Sequence, residues 1–255
     1  MELTLDLTTA LGLGDAALLA GFIDAIAGGG GMLVMPALLG AGLPPHLVIG
    51  TNKLIGSFGT FSASLTFMRK GLLQPAQWRA MGFATLVGAG LGAVLIYLMS
   101  AGVLKKLLPL AILLAAAYLL WPRRAAPAAH PAACSAPPGP GLQGITGLVI
   151  GFYDGFIGPG AGAFWMAAAT RLFHLDLVAA AGVARLMNFI SNITALLTFM
   201  LFGNIDYALG LSMGGLLMIG ALIGAHSAIR YGAPFIRPVF LTVVVLMAGR
   251  LLIAG

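Results

Sequence analysis

Four charged residues lie deep within apolar stretches of the chain: Asp24, Lys53, Asp154 and Arg185. A charge at membrane depth is costly, so it normally pairs or lines a pathway. These four form two matched sets, acid with acid and base with base. One reading is a pair of structural ion pairs, Asp24 with Lys53 and Asp154 with Arg185. The other is a central site in which Lys53 and Arg185 neutralise an anion while Asp24 and Asp154 orient them or exchange protons. The two readings can coexist. Lys53 also begins a polar stripe, with Ser57, Thr60 and Ser64 following at spacings of four, three and four, one face of a helix. Thr51 and Asn52 precede it. After Arg185 come Asn188 and Asn192, again on one face, with Ser191 beside them. Small hydroxyl and amide groups could ligate oxyanion oxygens or serve as glue between helices. A stripe containing a buried cation favours a pathway.

Two glycine-rich breaks give a physical reason for anions. GGGG spans 28–31 and GPGAG spans 158–162, each inside an apolar stretch. Glycines and Pro159 weaken a continuous helix there. A kinked helix packed tightly through small residues is one outcome. A broken or re-entrant helix whose backbone faces a cavity is the other, and the repetition of the break favours it. A half-helix starting near Gly29, Gly30 and Gly31, or near Gly160 and Gly162, would offer free N–H groups and a positive dipole end. GGGG lacks a following GK[ST], so it is no Walker loop. His46, His174 and His226 are isolated. His130 and Cys134 are two ligand types in a Pro/Ala-rich loop, weak grounds for a metal. Met32, Met35 and Met166 read as packing. HExxH, GxSxG and clustered Cys/His sets are absent, so neither cofactor nor metal is expected, and no enzyme.

These residues need an apolar frame to hold them. The chain has 255 residues, 60% hydrophobic and only 8% charged, with mean hydropathy +1.04. A soluble domain carries about 25% charged residues, so a soluble enzyme is excluded. Apolar stretches cover roughly 16–39, 44–68, 80–104, 107–121, 142–170, 177–203, 207–229 and 235–254. The expected fold is an all-α polytopic membrane protein in the lipid bilayer. Trp78, Trp121 and Tyr207 fit interfacial aromatic anchors. The basic excess of +6 reads as loop charge, and no clustered basic patch suggests nucleic acid. The acidic start, MELTLDLTTALGLGD, is unlike a signal peptide, so Met1 is expected to begin the mature protein.

The segment 122–141, WPRRAAPAAHPAACSAPPGP, reads as a linker between two repeats, 1–121 and 142–255. Gly21-Phe22-Ile23-Asp24 matches Gly151-Phe152-Tyr153-Asp154. Lys53 falls opposite Arg185, Phe67-Met68 opposite Phe199-Met200, and GAGLGA at 88–93 opposite GALIGA at 220–225. The offset stays at 130–132 residues. If all eight stretches cross, Arg69, Lys70, Arg79, Arg123 and Arg124 oppose Lys105, Lys106, Arg171, Arg230 and Arg237, and no orientation wins. If the first stretch of each half is a hairpin of two half-spans, the halves become inverted. Arg69, Lys70, Arg79, Arg123, Arg124, Arg171, Arg230 and Arg237 then share the cytoplasmic side, leaving Lys105, Lys106 and Arg250 as exceptions. Two inverted four-segment repeats with both termini periplasmic are therefore expected.

GFIDAIAGGGGMLVMPALL, followed by GLPPHLVIGTNKLIGSFGTFSASLTFMRKG, resembles the sulfite exporter TauE/SafE family, also called domain of unknown function 81. The likeness runs through both repeats. The second half departs from the motif, with GVARLMNFISN where the first has GTNKLIGSFGT. The resemblance implies transport of sulfite, thiosulfate, sulfonates or related organic anions, in a bacterial inner membrane. The leading expectation is a secondary transporter of such a small anion by alternating access, with proton coupling at the two acids as one role for them. An anion channel is the first rival, an intramembrane enzyme the second, and a passive partner-binding protein the third.

Overall fold

The structure is a computed structural model that describes residues 6–120, 138–236 and 238. The linker expected at 122–141 lies almost wholly outside the described residues, with Trp121, Arg123, Arg124, His130 and Cys134. So does most of the final apolar stretch.

Nine α-helices lie within the described residues, residues 233–236 and 238 are helical as well, and no strand occurs among the described residues. The nine are α1 Leu7–Ala27, α2 Gly30–Gly40, α3 Pro45–Arg69, α4 Arg79–Tyr97, α5 Ala101–Leu120, α6 Pro140–Phe156, α7 Ala161–Arg171, α8 Leu177–Phe202 and α9 Tyr207–Tyr231. A single 3₁₀ turn, Pro75–Trp78, leads into α4. Side-chain caps mark three starts. Asp6 accepts from the Thr9 amide, Asp176 from Val178 and Ala179, and Asp206 from Leu209.

Four helices among the described residues are long and apolar enough to cross a membrane: α1, α4 with its lead-in turn, α8 and α9. At 25 residues α3 has the length, but it carries the polar stripe. Its Thr51, Asn52, Lys53, Ser57, Thr60 and Ser64 are all buried. Outward faces carry exposed Leu19, Phe83, Ile145 and Leu201, a surface suited to lipid.

The glycines give the helix directions. On α9, Gly220 sits against the Leu18 carbonyl of α1 and Gly224 against the Phe22 carbonyl, so α1 and α9 run parallel. On α6, Gly147 meets Met81 of α4, Gly151 meets Thr85 and Gly155 meets Ala89, so α4 and α6 also run parallel. Small residues allow these backbone approaches. α3 runs with α9, since Leu54 meets Gly210 and Phe58 meets Gly214. α3 and α8 are antiparallel, because Gly56 faces Asn192 and Gly182 faces Phe67. The first helix of each half thus packs on a helix of the other half, α1 on α9 and α6 on α4. Arg69, Lys70, Arg79, Arg171 and Arg230 gather at one end of the bundle, with Lys105 and Lys106 at the other.

Three expectations change. The breaks fall at Gly28–Gly29 and at 157–160, as expected, but the limbs are unequal. α1 has 21 residues, or about 31 Å at 1.5 Å per residue, a full crossing by length. α2 and α7 have 11 residues each. The sequence misleads here because the apolar stretch starts at residue 16, while the helix is capped by Asp6. Because α1 and α3 run the same way, α2 and the turn after it carry the chain back. Trp78 is not an interfacial anchor: it is 4% exposed and stacks at a tilt on Phe173, centroids 5.5 Å apart. The stripe hydroxyls turn inward on their own helix. Ser57 donates to the Lys53 carbonyl, Thr60 to Gly56 and Ser64 to Thr60, each at 2.7 Å.

Candidate functional site

The two breaks meet in the interior. Gly28 is left-handed, with φ +85°, and ends α1. A Cβ there would lie 2.2 Å from the Gly162 carbonyl carbon, and one on Gly162 would lie 2.7 Å from the Gly28 Cα. Both figures are far inside van der Waals contact, so only glycine fits this crossing.

One turn before each break stands an aspartate. The Asp24 carboxylate accepts the Gly30 amide at 2.9 Å, capping the first turn of α2. It also accepts Arg185 Nη1 at 2.9 Å. Arg185 further donates to the carbonyls of Asp24 and Gly162, while its Nε has no partner among the described residues. The Asp154 carboxylate accepts Lys53 Nζ at 2.7 Å and the Ser191 hydroxyl. Lys53 also donates to the Asp154 carbonyl and, at 3.3 Å, to the Asn192 amide oxygen.

The ion pairs are therefore crossed relative to the sequence expectation. Lys53 pairs with Asp154, not Asp24, and Arg185 pairs with Asp24, not Asp154. The antiparallel crossing of α3 and α8 causes this. It carries Lys53 to the break of the second half and Arg185 to the break of the first. Each pair ties one half to the other. Removing one member of such a buried pair costs about 3–5 kcal/mol, because it strands a charge.

A cavity opens beside this cluster, with about 420 Å³ of atom-free space counting its mouth. Asp24, Lys53, Asp154, Asn52, Asn188 and Asn192 line it, with Gly30, Gly31, Gly160 and Gly162 of the breaks. Four of the expected site residues stand back from it. Arg185 is fully buried behind the wall. Thr51 accepts the Asp206 amide at 3.0 Å, Ser57 bonds its own helix, and Gly29 is outside the lining. The lining adds Gly28, Gly56, Thr60, Gly158, Val34 and Leu217. Gly28 and Gly158 were visible as parts of the glycine runs. Leu217 had no signal, since only the packing of α9 on α1 and α3 brings it here. Met32, Met35 and Met166 are buried apolar packing. Among the described residues no group of three His, Cys, Asp or Glu could hold a metal ion.

The sulfite exporter TauE/SafE family model matches residues 15–251. The chain belongs to this family. A Sinorhizobium protein named probable membrane transporter protein ORF9 is 38% identical over 239 residues. That match covers 93% of this chain and 90% of that protein. Probable membrane transporter protein YfcA of Escherichia coli K12 is 37% identical over 237 residues, covering 92% and 87%. A probable membrane transporter protein of Haemophilus influenzae is 35% identical over 236 residues, covering 91% and 90%. No solved structure matches the chain.

Proposed function

We propose that this TauE/SafE protein is a secondary transporter of a small sulfur-containing or organic oxyanion of the sulfite, thiosulfate or sulfonate type. The observation that carries the reading is the pair of crossed ion pairs. Both bridge the two halves, and three of their four members line one cavity. A site built between halves is suited to alternating access, because rocking one half on the other remakes its walls. The parallel runs of α1 with α9 and α6 with α4, and the antiparallel crossing of α3 and α8, support halves related by inversion. In this reading α1–α2 and α6–α7 are hairpins that return to the side they came from. The end carrying Arg69, Lys70, Arg79, Arg171 and Arg230 faces the cytoplasm of a bacterial inner membrane, and α1 begins on the periplasmic side.

Within the cavity Lys53 supplies positive charge. The amides of Asn52, Asn188 and Asn192, and the first-turn N–H groups of α2, supply donors for oxyanion oxygens. Arg185 and Asp24 clamp the two breaks together. A thermal-shift screen of the purified protein tests this reading. A ligand at a hundred times its Kd stabilises by about 2.7 kcal/mol. Sulfite, thiosulfate or a simple sulfonate should raise the unfolding temperature, and a flat response to all of them would refute the substrate class.

A further inference from the structure

We propose that the two ion pairs have different jobs: Asp154 takes up one proton for each monovalent oxyanion that Lys53 binds, while Asp24 and Arg185 stay locked. This deepens the transporter reading and rests on it. The sequence presents the pairs as equivalents, one in each repeat, but the structure gives them different surroundings.

Lys53 reaches the cavity wall and Arg185 does not. The three N–H bonds of the Lys53 ammonium are all engaged, two by Asp154 and the third by Asn192. An anion on the ammonium competes with the Asp154 carboxylate, the one charged acceptor among the three, and a proton on that carboxylate removes the competing charge. Ser191 can follow the change. Its hydroxyl has the Asn188 carbonyl as a second acceptor, 3.0 Å away.

Asp24 has no such freedom. It caps α2 through the Gly30 amide and holds a guanidinium, which does not lose its proton in proteins. Protonating Asp24 would leave Arg185 buried without its counter-charge.

Charge balance selects the ligand. The empty Asp154–Lys53 site is neutral. With a proton on Asp154 and a monoanion on Lys53 it is neutral again, whereas a dianion would leave one negative charge buried. The proton comes from water at the open mouth, adds to a carboxylate oxygen, and returns to water where the anion leaves. No other charge at the cavity upsets this count among the described residues. Asp24 of α1 is matched by Arg185 of α8. The linings from α2, α7 and α9 are uncharged. Arg79 of α4 and Arg171 of α7 lie at the end of the bundle. Tyr153, next to Asp154 on α6, donates its hydroxyl to the Pro159 carbonyl at 2.6 Å. Two donors wait for the anion. The Asn52 amide makes no hydrogen bond among the described residues. The Gly31 N–H opens α2, and a Cβ on Gly31 would be 3.5 Å from Asn52 Nδ2.

The test uses methanesulfonate, a monoanion throughout the working pH range, and the full-length protein in lipid vesicles and in detergent. Calorimetric titration in two buffers of different ionisation heat counts protons taken up per anion bound. The expected count is one, with affinity falling about tenfold per pH unit where the empty site is ionised. In vesicles an inward methanesulfonate gradient should acidify the lumen without building a membrane potential. Asp154→Asn should bind with pH-independent affinity and move no proton. Asp24→Asn, whatever its affinity, should keep the pH slope. A count of zero in the wild-type protein, which needs no variant to fold, overturns the proposal. So does loss of the slope in Asp24→Asn with its retention in Asp154→Asn. Methanesulfonate transport by the wild type without proton movement refutes this inference and leaves the transporter reading standing. Failure of every oxyanion of the sulfite, thiosulfate and sulfonate class to bind or move removes both.

Discussion

Consider neutralising Lys53. Its ammonium is 1% exposed and makes three hydrogen bonds, two of them to Asp154. Lys53→Gln leaves the Asp154 carboxylate buried with only the Ser191 hydroxyl, which should cost about 3–5 kcal/mol. Asp154→Asn strands the ammonium at a similar cost. The double variant Lys53→Gln/Asp154→Asn strands neither, so the two losses should not add. Contacting pairs couple by about 0.5–3 kcal/mol, and a buried charge pair belongs at the upper end. The control is Lys53→Gln/Asp24→Asn. Those residues are not partners, so each mutation breaks a different bridge and the two losses should add in full. The assay is thermal or denaturant unfolding of monodisperse protein in one detergent. Strong coupling of Lys53 to Asp24, with additivity between Lys53 and Asp154, would refute the crossed arrangement.

Other expectations follow from the same geometry. Gly28→Ala should destabilise by several kcal/mol, as its Cβ would overlap Gly162, whereas Gly12→Ala on α1 meets nothing within 4 Å and should gain up to about 1 kcal/mol; equal effects in unfolding assays would contradict the crossing of the breaks. Arg185→Lys keeps the charge but cannot reach Asp24 and the Gly162 carbonyl as one planar fork, so it should lower stability measurably, and a wild-type unfolding midpoint would contradict the clamp. In a Cys134-free background, single cysteines at exposed Leu72 and Ser100 should be labelled from opposite sides of the membrane, Leu72 from the cytoplasm; labelling of both from one side would overturn the helix directions.

Much of this site was legible before folding. Asp24, Lys53, Asp154 and Arg185 were conspicuous because buried charge is expensive in an apolar chain, and the glycine runs marked both breaks. The partners were not legible. Sequence proximity suggested Asp24 with Lys53, but pairing depends on how α3 and α8 cross. The length of α1 was hidden because its first turns, from Leu7, mix threonines and glycines with leucines and fall outside the purely apolar stretch. Trp78 looked like an anchor by type and position, and only the fold reveals Phe173 lying over it. The stripe on α3 was legible as residues sharing one helix face, and all four are buried, but only Lys53 and Thr60 line the cavity. Where its hydroxyls point is a rotamer choice: they bond the preceding turn, as Ser and Thr do in apolar helices.

The central claim is that a small oxyanion crosses through the cavity that Lys53 lines. Its most direct test is uptake of labelled sulfite, thiosulfate and methanesulfonate into vesicles holding either wild-type protein or the Lys53→Gln/Asp154→Asn variant, both shown to be folded. Saturable, exchangeable uptake of at least one anion by the wild type, lost in the variant, is the predicted result. Equal uptake by the two proteins would place the path elsewhere and contradict the account.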